Sequence, residues 1–277
     1  MSRTFFDQPQ LDLFPTVTFQ YILVEVKGSI LTLILNRPEK RNALNSLMID
    51  EIAYAISYAG YHPTIRCVVV KANGPTFCAG ADLTSWMNEE KSASRSIPNP
   101  NREVNLGEVF ATFHKPSIAQ IEGSVLAGGF LITAGVTFAY ATENAYFSLP
   151  EVQRGIWPMQ VMAALSEILP PRKILEMCIT GTRYSAEEAV GCGLITHLVS
   201  EENIEVLVAK LAAQIEQSAP LAISTGMRAF RQLLGTRVNP EAYQTLQQEL
   251  QALLRSEDAK EGIRAFHEKR KPIWKNR

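Results

Sequence analysis

Apolar and polar positions alternate along Gln20–Lys27 around Ile22, Val24 and Val26. After Lys27-Gly28-Ser29 the run Ile30–Leu35 is apolar on both faces. This pattern predicts a hairpin whose second strand is buried. The polar segment NRPEKRNALN follows, and Pro38 blocks continuation of the strand. Leu44, Met48, Ile52, Ile56 and Ala59 then recur at helical spacing, with Asn45 placed as the cap. RCVVVK (66–71) reads as another buried strand closed by Asn73-Gly74, and a helix-like stretch runs from Leu83 to Glu90. Ser92–Asn105, with two prolines, reads as a mobile surface loop. After Lys115-Pro116 the pattern gives a strand, a glycine turn, a helix and a hairpin around Thr142-Glu143-Asn144. Ser185-Ala-Glu-Glu188 is a capping box opening a short helix that ends at Gly191 or Gly193. Beyond Glu201 only helical periodicity remains, in 203–217, 220–234, 240–255 and 258–269. The chain thus reads as α/β: an arm over 1–18, a core over 19–200 and a helical region over 201–277. Terminal helices with apolar faces either fold back on the core or pack against another subunit.

Composition narrows the function classes. Of 277 residues, 46% are hydrophobic and 20% charged, enough apolar material for a large core and too much for disorder. Lys+Arg (27) and Asp+Glu (28) nearly cancel, so there is no global basic footprint for nucleic acid. Cys67, Cys78, Cys178 and Cys192 contain no CxxC pair and the four histidines no HExxH, so no metal site is indicated. Met1–Thr16 reads as a polar arm without the pattern of a secretory signal, and a reducing cytoplasm is the expected compartment. Gly123–Ala141 is uncharged and nearly long enough to span a membrane, but four glycines interrupt it and Glu122 and Glu143 flank it. It reads as a strand, a turn and a core helix, with no membrane partner expected.

Two glycine turns carry candidate chemistry. Thr76-Phe-Cys-Ala-Gly-Ala-Asp-Leu83 and Gly123-Ser-Val-Leu-Ala-Gly-Gly-Phe130 each leave a strand and enter a helix. Main-chain N–H groups at such junctions lack partners, and two facing turns would make a two-donor hole for a developing oxyanion. Neither matches GxGxxG or GxxxxGK, so a dinucleotide or P-loop cradle is not indicated. Glu151 follows Pro150 between two apolar stretches. A carboxyl group against apolar walls has its pKa raised toward neutrality, where a general acid/base works.

Taken in order, NRPEKRNALN (36–45), FCAGADL (77–83), KPSIAQIEGSVLAGGF (115–130), FSLPEVQRGIWP (147–158), TGTRYSAEEAVGCGLITHLV (180–199) and SEDAKEGIRAFHEKRKPIW (256–274) closely resemble the crotonase, or enoyl-CoA hydratase/isomerase, superfamily. The resemblance covers nearly everything after residue 20. It implies a crotonase-like spiral of ββα turns, C-terminal helices that support a homotrimer or hexamer, and an acyl-CoA thioester substrate. By motif position the thioester oxygen would be bound by the N–H groups of Ala81 and Gly128, with Glu151 as acid/base. CoA would lie along Arg37, Lys40 and Ala43 and along Ala79, Asp82 and Leu83, while Phe266 and Lys269 sit where family members often reach a neighbour's CoA. Trp86, Trp157, Met159 and the stretch 156–161 would shape the acyl pocket. No cofactor is implied, because CoA is part of the substrate.

The pattern is broken at one place. Family hydratases carry a second glutamate in the helix after the glycine turn, and that position is Leu131 here. Leucine cannot hold or activate water. A single base is enough to move a proton from C2 to C4 through an enolate, so Δ3–Δ2-enoyl-CoA isomerisation is slightly favoured over hydration, with dehydration or decarboxylation of a branched acyl thioester as alternatives. A non-catalytic acyl-CoA-binding protein is the alternative of another class.

Overall fold

A computed structural model describes residues 4–83, 95–233 and 240–273. The strands, in chain order, are β1 (Ile22–Lys27), β2 (Ile30–Leu35), β3 (Cys67–Ala72), β4 (Thr76–Cys78), β5 (Ser117–Ile121), β6 (Ser124–Leu126), β7 (Phe138–Thr142), β8 (Tyr146–Ser148), β9 (Tyr184–Ser185) and β10 (His197–Val199). They form two sheets, ordered β1-β2-β3-β5-β7-β10 and β4-β6-β8-β9. β1 and β2 are the expected hairpin, in register from Ile22↔Leu35 to Lys27↔Ile30. β2, β3, β5, β7 and β10 pair in parallel, which requires cover on both faces and explains their unbroken apolar runs.

The chain winds by leaving one sheet, entering the other, and crossing back through a helix. β5 and β6 lead to α4 (Phe130–Gly135), and β7 and β8 lead to α5 (Met159–Leu165). This is the ββα spiral that the resemblance implies. The expected hairpin at Thr142–Asn144 is therefore a corner. Two apolar runs around a polar turn look like a hairpin in sequence, but β7 pairs in parallel with β5 and β10, and β8 pairs in parallel with β6 and antiparallel with β9. The uncharged stretch 123–141 is divided among β6, a glycine turn, α4 and β7, and no described helix is long and apolar enough to cross a membrane.

Residues 4–16 do not form the expected polar arm. α1 (Gln8–Asp12) is held by a reciprocal cap between Asp7 and Gln10, and Phe5, Phe6, Leu11 and Phe14 are buried. Phe14 stacks on Tyr58 at 3.7 Å, and Phe6 meets Tyr54 edge-on at 4.9 Å, both on α2 (Ser46–Tyr61). Asn45 caps α2 as expected, accepting from the Met48 N–H at 2.8 Å. The described part of the 92–105 loop is also anchored: Arg95 pairs with Asp50, Ile97 is buried, and Asn101 N–H donates to Phe5 O at 2.8 Å.

α3 (Leu106–Thr112) precedes β5, and α6 (Pro171–Thr180) and α7 (Ala186–Cys192) follow β8 and α5. The Ser185–Glu188 capping box opens α7, and left-handed Gly193 ends it. α8 (Glu201–Glu216) covers the large sheet, packing Ile204, Val208, Ala212 and Ile215 against Cys67, Val69 and Ile118. α9 (Pro220–Leu233) leaves Leu221 and Phe230 74% and 61% exposed. α10 (Pro240–Leu254) packs on α5, and α11 (Glu257–His267) packs on the short turn Pro150–Arg154. Of the two packing options open to the terminal helices, α10 and α11 take the same-chain one.

Candidate active site

One end of the smaller sheet opens into a cavity of about 1160 Å³, walled by residues from Glu39 to His267. Ala81, Gly128, Leu131 and Glu151 all line it. Ala81 forms a lone parallel bridge with Leu44: Leu44 N–H donates to Gly80 O at 2.8 Å and Asp82 N–H to Leu44 O at 2.9 Å. Because that bridge uses the groups flanking Ala81, the N–H of Ala81 itself points away from Leu44. Gly128 lies in the first turn of the 3₁₀ segment Ala127–Gly129, where an N–H has no acceptor within the helix.

The two donors are neighbours. A β-carbon on Gly128 would lie 3.6 Å from Ala81 N, and one on Gly80 would lie 2.9 Å from Gly128 N and 2.5 Å from Ala127 Cβ. Gly80 has φ +85, which explains glycine there twice over. Ala127 is left-handed at φ 50, a conformation that costs an L-residue on the order of 1 kcal/mol and turns the next N–H out of the strand. The paired glycine turns therefore bring the Ala81 and Gly128 amides side by side on the wall of one cavity.

Next to Ala81 the 36–45 loop is braced from within. Arg41 and Asn42 are consecutive left-handed residues. The fully buried Asn42 accepts from Arg37 N–H at 2.8 Å and donates to Asn73 O and Thr76 O at 2.9 and 2.8 Å. Sequence reasoning missed Asn42, although an asparagine inside NRPEKRNALN is the residue type that tolerates this backbone. Arg37 is also buried, and its guanidinium binds Asp82 at 2.7 Å and Ala43 O at 2.9 Å. It ties the two loops together and does not line the cavity. Lys40, Ala43, Ala79, Asp82 and Leu83 do line it, with Lys40 and Arg41 exposed at the rim. Trp86 and the 84–90 stretch lie outside the described residues.

Glu151 comes from the Pro150–Arg154 turn, which starts on a proline and closes on left-handed Gly155. Its side chain is 7% exposed, and Oε2 has no hydrogen-bond partner among the described residues. Burial pushes its pKa from 4.5 up to about 7, against the pull of its own backbone N–H and of Arg154. Arg154 lines the same cavity, with its guanidinium 4.4 Å over the Phe266 ring. Phe266 and His267 thus face the cavity of their own chain. Ile156, Trp157, Met159 and Val161 form a further wall.

Leu131 is an apolar wall where a second carboxylate would stand. Thr133, on the same helix, is buried outside the cavity wall, with its hydroxyl unpartnered among the described residues. One cavity is thus lined by Ala81, Gly128 and the buried Glu151.

Residues 25–277 match the family Enoyl-CoA hydratase/isomerase. A carnitinyl-CoA dehydratase of Salmonella typhi is 35% identical over 256 residues, covering 90% of this chain and 96% of the relative. A mevalonyl-coenzyme A hydratase of Aspergillus fumigatus is 32% identical over 249 residues, covering 89% and 91%. Among solved structures, a carnitinyl-CoA hydratase from Mycobacterium avium is similar at TM-score 0.80 and 31% identity, covering 94% of this chain and 100% of that one. A methylmalonyl-CoA decarboxylase is similar at TM-score 0.77 and 28% identity, with the same coverage.

Proposed function

Given that the chain belongs to the enoyl-CoA hydratase/isomerase family, we propose that it interconverts a 3-hydroxyacyl-CoA and its 2-enoyl-CoA with Glu151 as the one acid/base. The observation that carries this reading is a buried carboxyl oxygen, unpartnered among the described residues, in the same cavity as the Ala81 and Gly128 amides. The Glu151 carboxylate takes the α-proton, and the electron pair moves onto the thioester oxygen, where the two N–H groups hold the enolate. The enolate collapses, the Cα–Cβ double bond forms, and the β-hydroxyl leaves as water with the proton Glu151 has just acquired. The carboxylate is regenerated, so one group does the work of two. A carboxyl group that titrates near 7 is suited to both halves of that exchange. The mechanism asks for no metal or redox group.

Lys40, Ala43, Ala79, Asp82 and Leu83 would flank the CoA moiety, with Arg37 holding their loops in place. The names of the relatives, hydratases and dehydratases, favour this reading over the double-bond isomerisation expected from sequence. Isomerisation is the second reading, favoured by Leu131, because an apolar wall discourages water from the far side of the substrate. It would use the same shuttle, returning the proton at C4. A trimeric or hexameric assembly in a cytoplasmic setting completes the proposal.

The test incubates the protein in deuterated water with 2-butenoyl-CoA, 3-hydroxybutyryl-CoA and 3-hexenoyl-CoA. Gain or loss of one water, abolished by Glu151→Gln, is the expected result. Conversion of 3-hexenoyl-CoA alone would establish the isomerase reading instead. Tight binding without turnover in both proteins would make the chain a binding protein.

A further inference from the structure

The turn that carries Glu151 meets the last helix backbone to backbone. A β-carbon on Gly155 would lie 2.6 Å from Asp258 O and 3.0 Å from Ala259 N. A β-carbon on Gly262 would lie 2.3 Å from Arg154 O and 2.4 Å from its carbonyl carbon. Asp258 and Gly262 are four residues apart, so both contacts fall on one face of α11. The helix approaches the turn more closely than a side chain at either glycine would allow.

α11 is itself fixed at both ends. Ser256 caps it, accepting from Ala259 N–H at 3.0 Å. Glu261 receives Arg264, Arg270 and the Ile273 N–H, which folds the chain after the helix back onto it. Phe266, one turn on from Gly262, lies under the Arg154 guanidinium. Glycine is a poor helix former and alanine the best, and α11 uses alanine at its buried positions 259 and 265. Glycine at 262 therefore answers to the close approach.

We propose that α11 is a positioning element for catalysis: Gly155 and Gly262 let it rest directly on the Pro150–Arg154 turn, which holds the Glu151 carboxyl group against the cavity and away from water. This rests on the acid/base reading of Glu151 above. The titratable groups that interact with that carboxyl group are Arg154 on the turn and Cys178 on α6, while α11 sets the Asp258 backbone against Gly155 and brings His267 to the same cavity, which Arg41 also lines. A helix pushed off the turn loosens the placement of the acid and admits water to it, so the rate falls and the group titrates closer to an ordinary carboxylate.

The experiment measures kcat, KM and the pH midpoint of kcat with 2-butenoyl-CoA for wild type, Gly262→Ala, Glu261→Gln and Gly191→Ala, with circular dichroism as the folding check. Gly191 is the control, a helical glycine whose β-carbon would meet nothing within 4 Å. Folded Gly262→Ala is expected to lose at least about tenfold in kcat, with KM within about threefold, the scale expected for small misplacements of a reacting group. Its midpoint should fall by at least about half a pH unit, while Gly191→Ala matches wild type. A folded Gly262→Ala with the wild-type rate and midpoint overturns the proposal. So does a lost rate with an unmoved midpoint, which marks general damage. If Gly262→Ala does not fold, Glu261→Gln decides: a smaller shift in the same direction supports the interlock, and a wild-type profile overturns it. Turnover surviving in Glu151→Gln brings down the acid/base reading and this proposal with it, whereas an inactive Glu151→Gln beside an unchanged Gly262→Ala removes the interlock alone.

Discussion

Glu151→Gln should make the protein more stable at alkaline pH while abolishing its activity. The native carboxyl group titrates at about 7 because burial disfavours its charge, whereas the unfolded chain titrates near 4.5. Between those values the unfolded state gives up its proton and the native state keeps it, so stability falls as pH rises and levels off above the native pKa. At about 1.4 kcal/mol per pH unit, the displacement costs the native state roughly 3 kcal/mol once the group is ionised. Glutamine matches the neutral form in shape and never ionises, so the variant escapes this cost. The gain of variant over wild type should grow by roughly 2.5 kcal/mol between pH 5 and pH 8. For a chain of this length that is a rise of about 4 °C in the difference between their Tm values. Thermal or urea melts of both proteins at the two pH values measure it, and all other titrating groups cancel in the comparison. A stability difference that is the same at pH 5 and pH 8 would show that Glu151 is not buried in the neutral form, and the argument for its role would fall.

Gly80→Ala places a methyl group against Ala127 and the Gly128 amide at a backbone angle alanine resists, so kcat should drop at least about tenfold in a folded protein, as expected for a disturbed oxyanion donor. Near-normal kcat in that variant would count against the hole. Arg37→Met removes the cation from a buried carboxylate and should lower unfolding stability by about 3 kcal/mol in urea titrations; a loss under about 1 kcal/mol would contradict the bracing role of the Arg37–Asp82 pair. Leu131→Glu adds a second carboxyl group to the cavity wall and should raise the ratio of hydration to double-bond migration by about tenfold, the lower range for an acid/base group, as measured by product mass. An unchanged ratio would mean that this position does not govern water.

The legible part of the fold was its local grammar. The β1–β2 hairpin, the Asn45 cap and the Ser185–Glu188 box follow from nearest-neighbour spacing, and the four terminal helices from their period. The corner between β7 and β8 was misread because strand pairing depends on partners 20 or more residues away, which alternation does not encode. The N-terminal aromatics were masked by polar neighbours: Phe5, Phe6 and Phe14 show no single period, and only α2, with Tyr54 and Tyr58, gives them a surface. At the site, the two glycine turns and Glu151 were visible from residue type, and the structure brings all three to one cavity. Arg37 was expected beside CoA, yet its hydrogen-bonding capacity is directed inward to Asp82 and Ala43, a choice that depends on which loop faces which. Asn42 and Gly262 could not be singled out from sequence, because their meaning lies in a backbone angle and a close approach.

The cavity wall draws on residue 39 and on residue 267 alike, with most of the intervening elements contributing. Such a site is assembled only once nearly the entire described chain has folded. During synthesis the glycine turns and Glu151 emerge more than a hundred residues ahead of α11, the helix that rests on the Glu151 turn. Competence for turnover and completion of the fold therefore arrive together, and a protease cut before α11 should silence the enzyme while leaving both sheets intact.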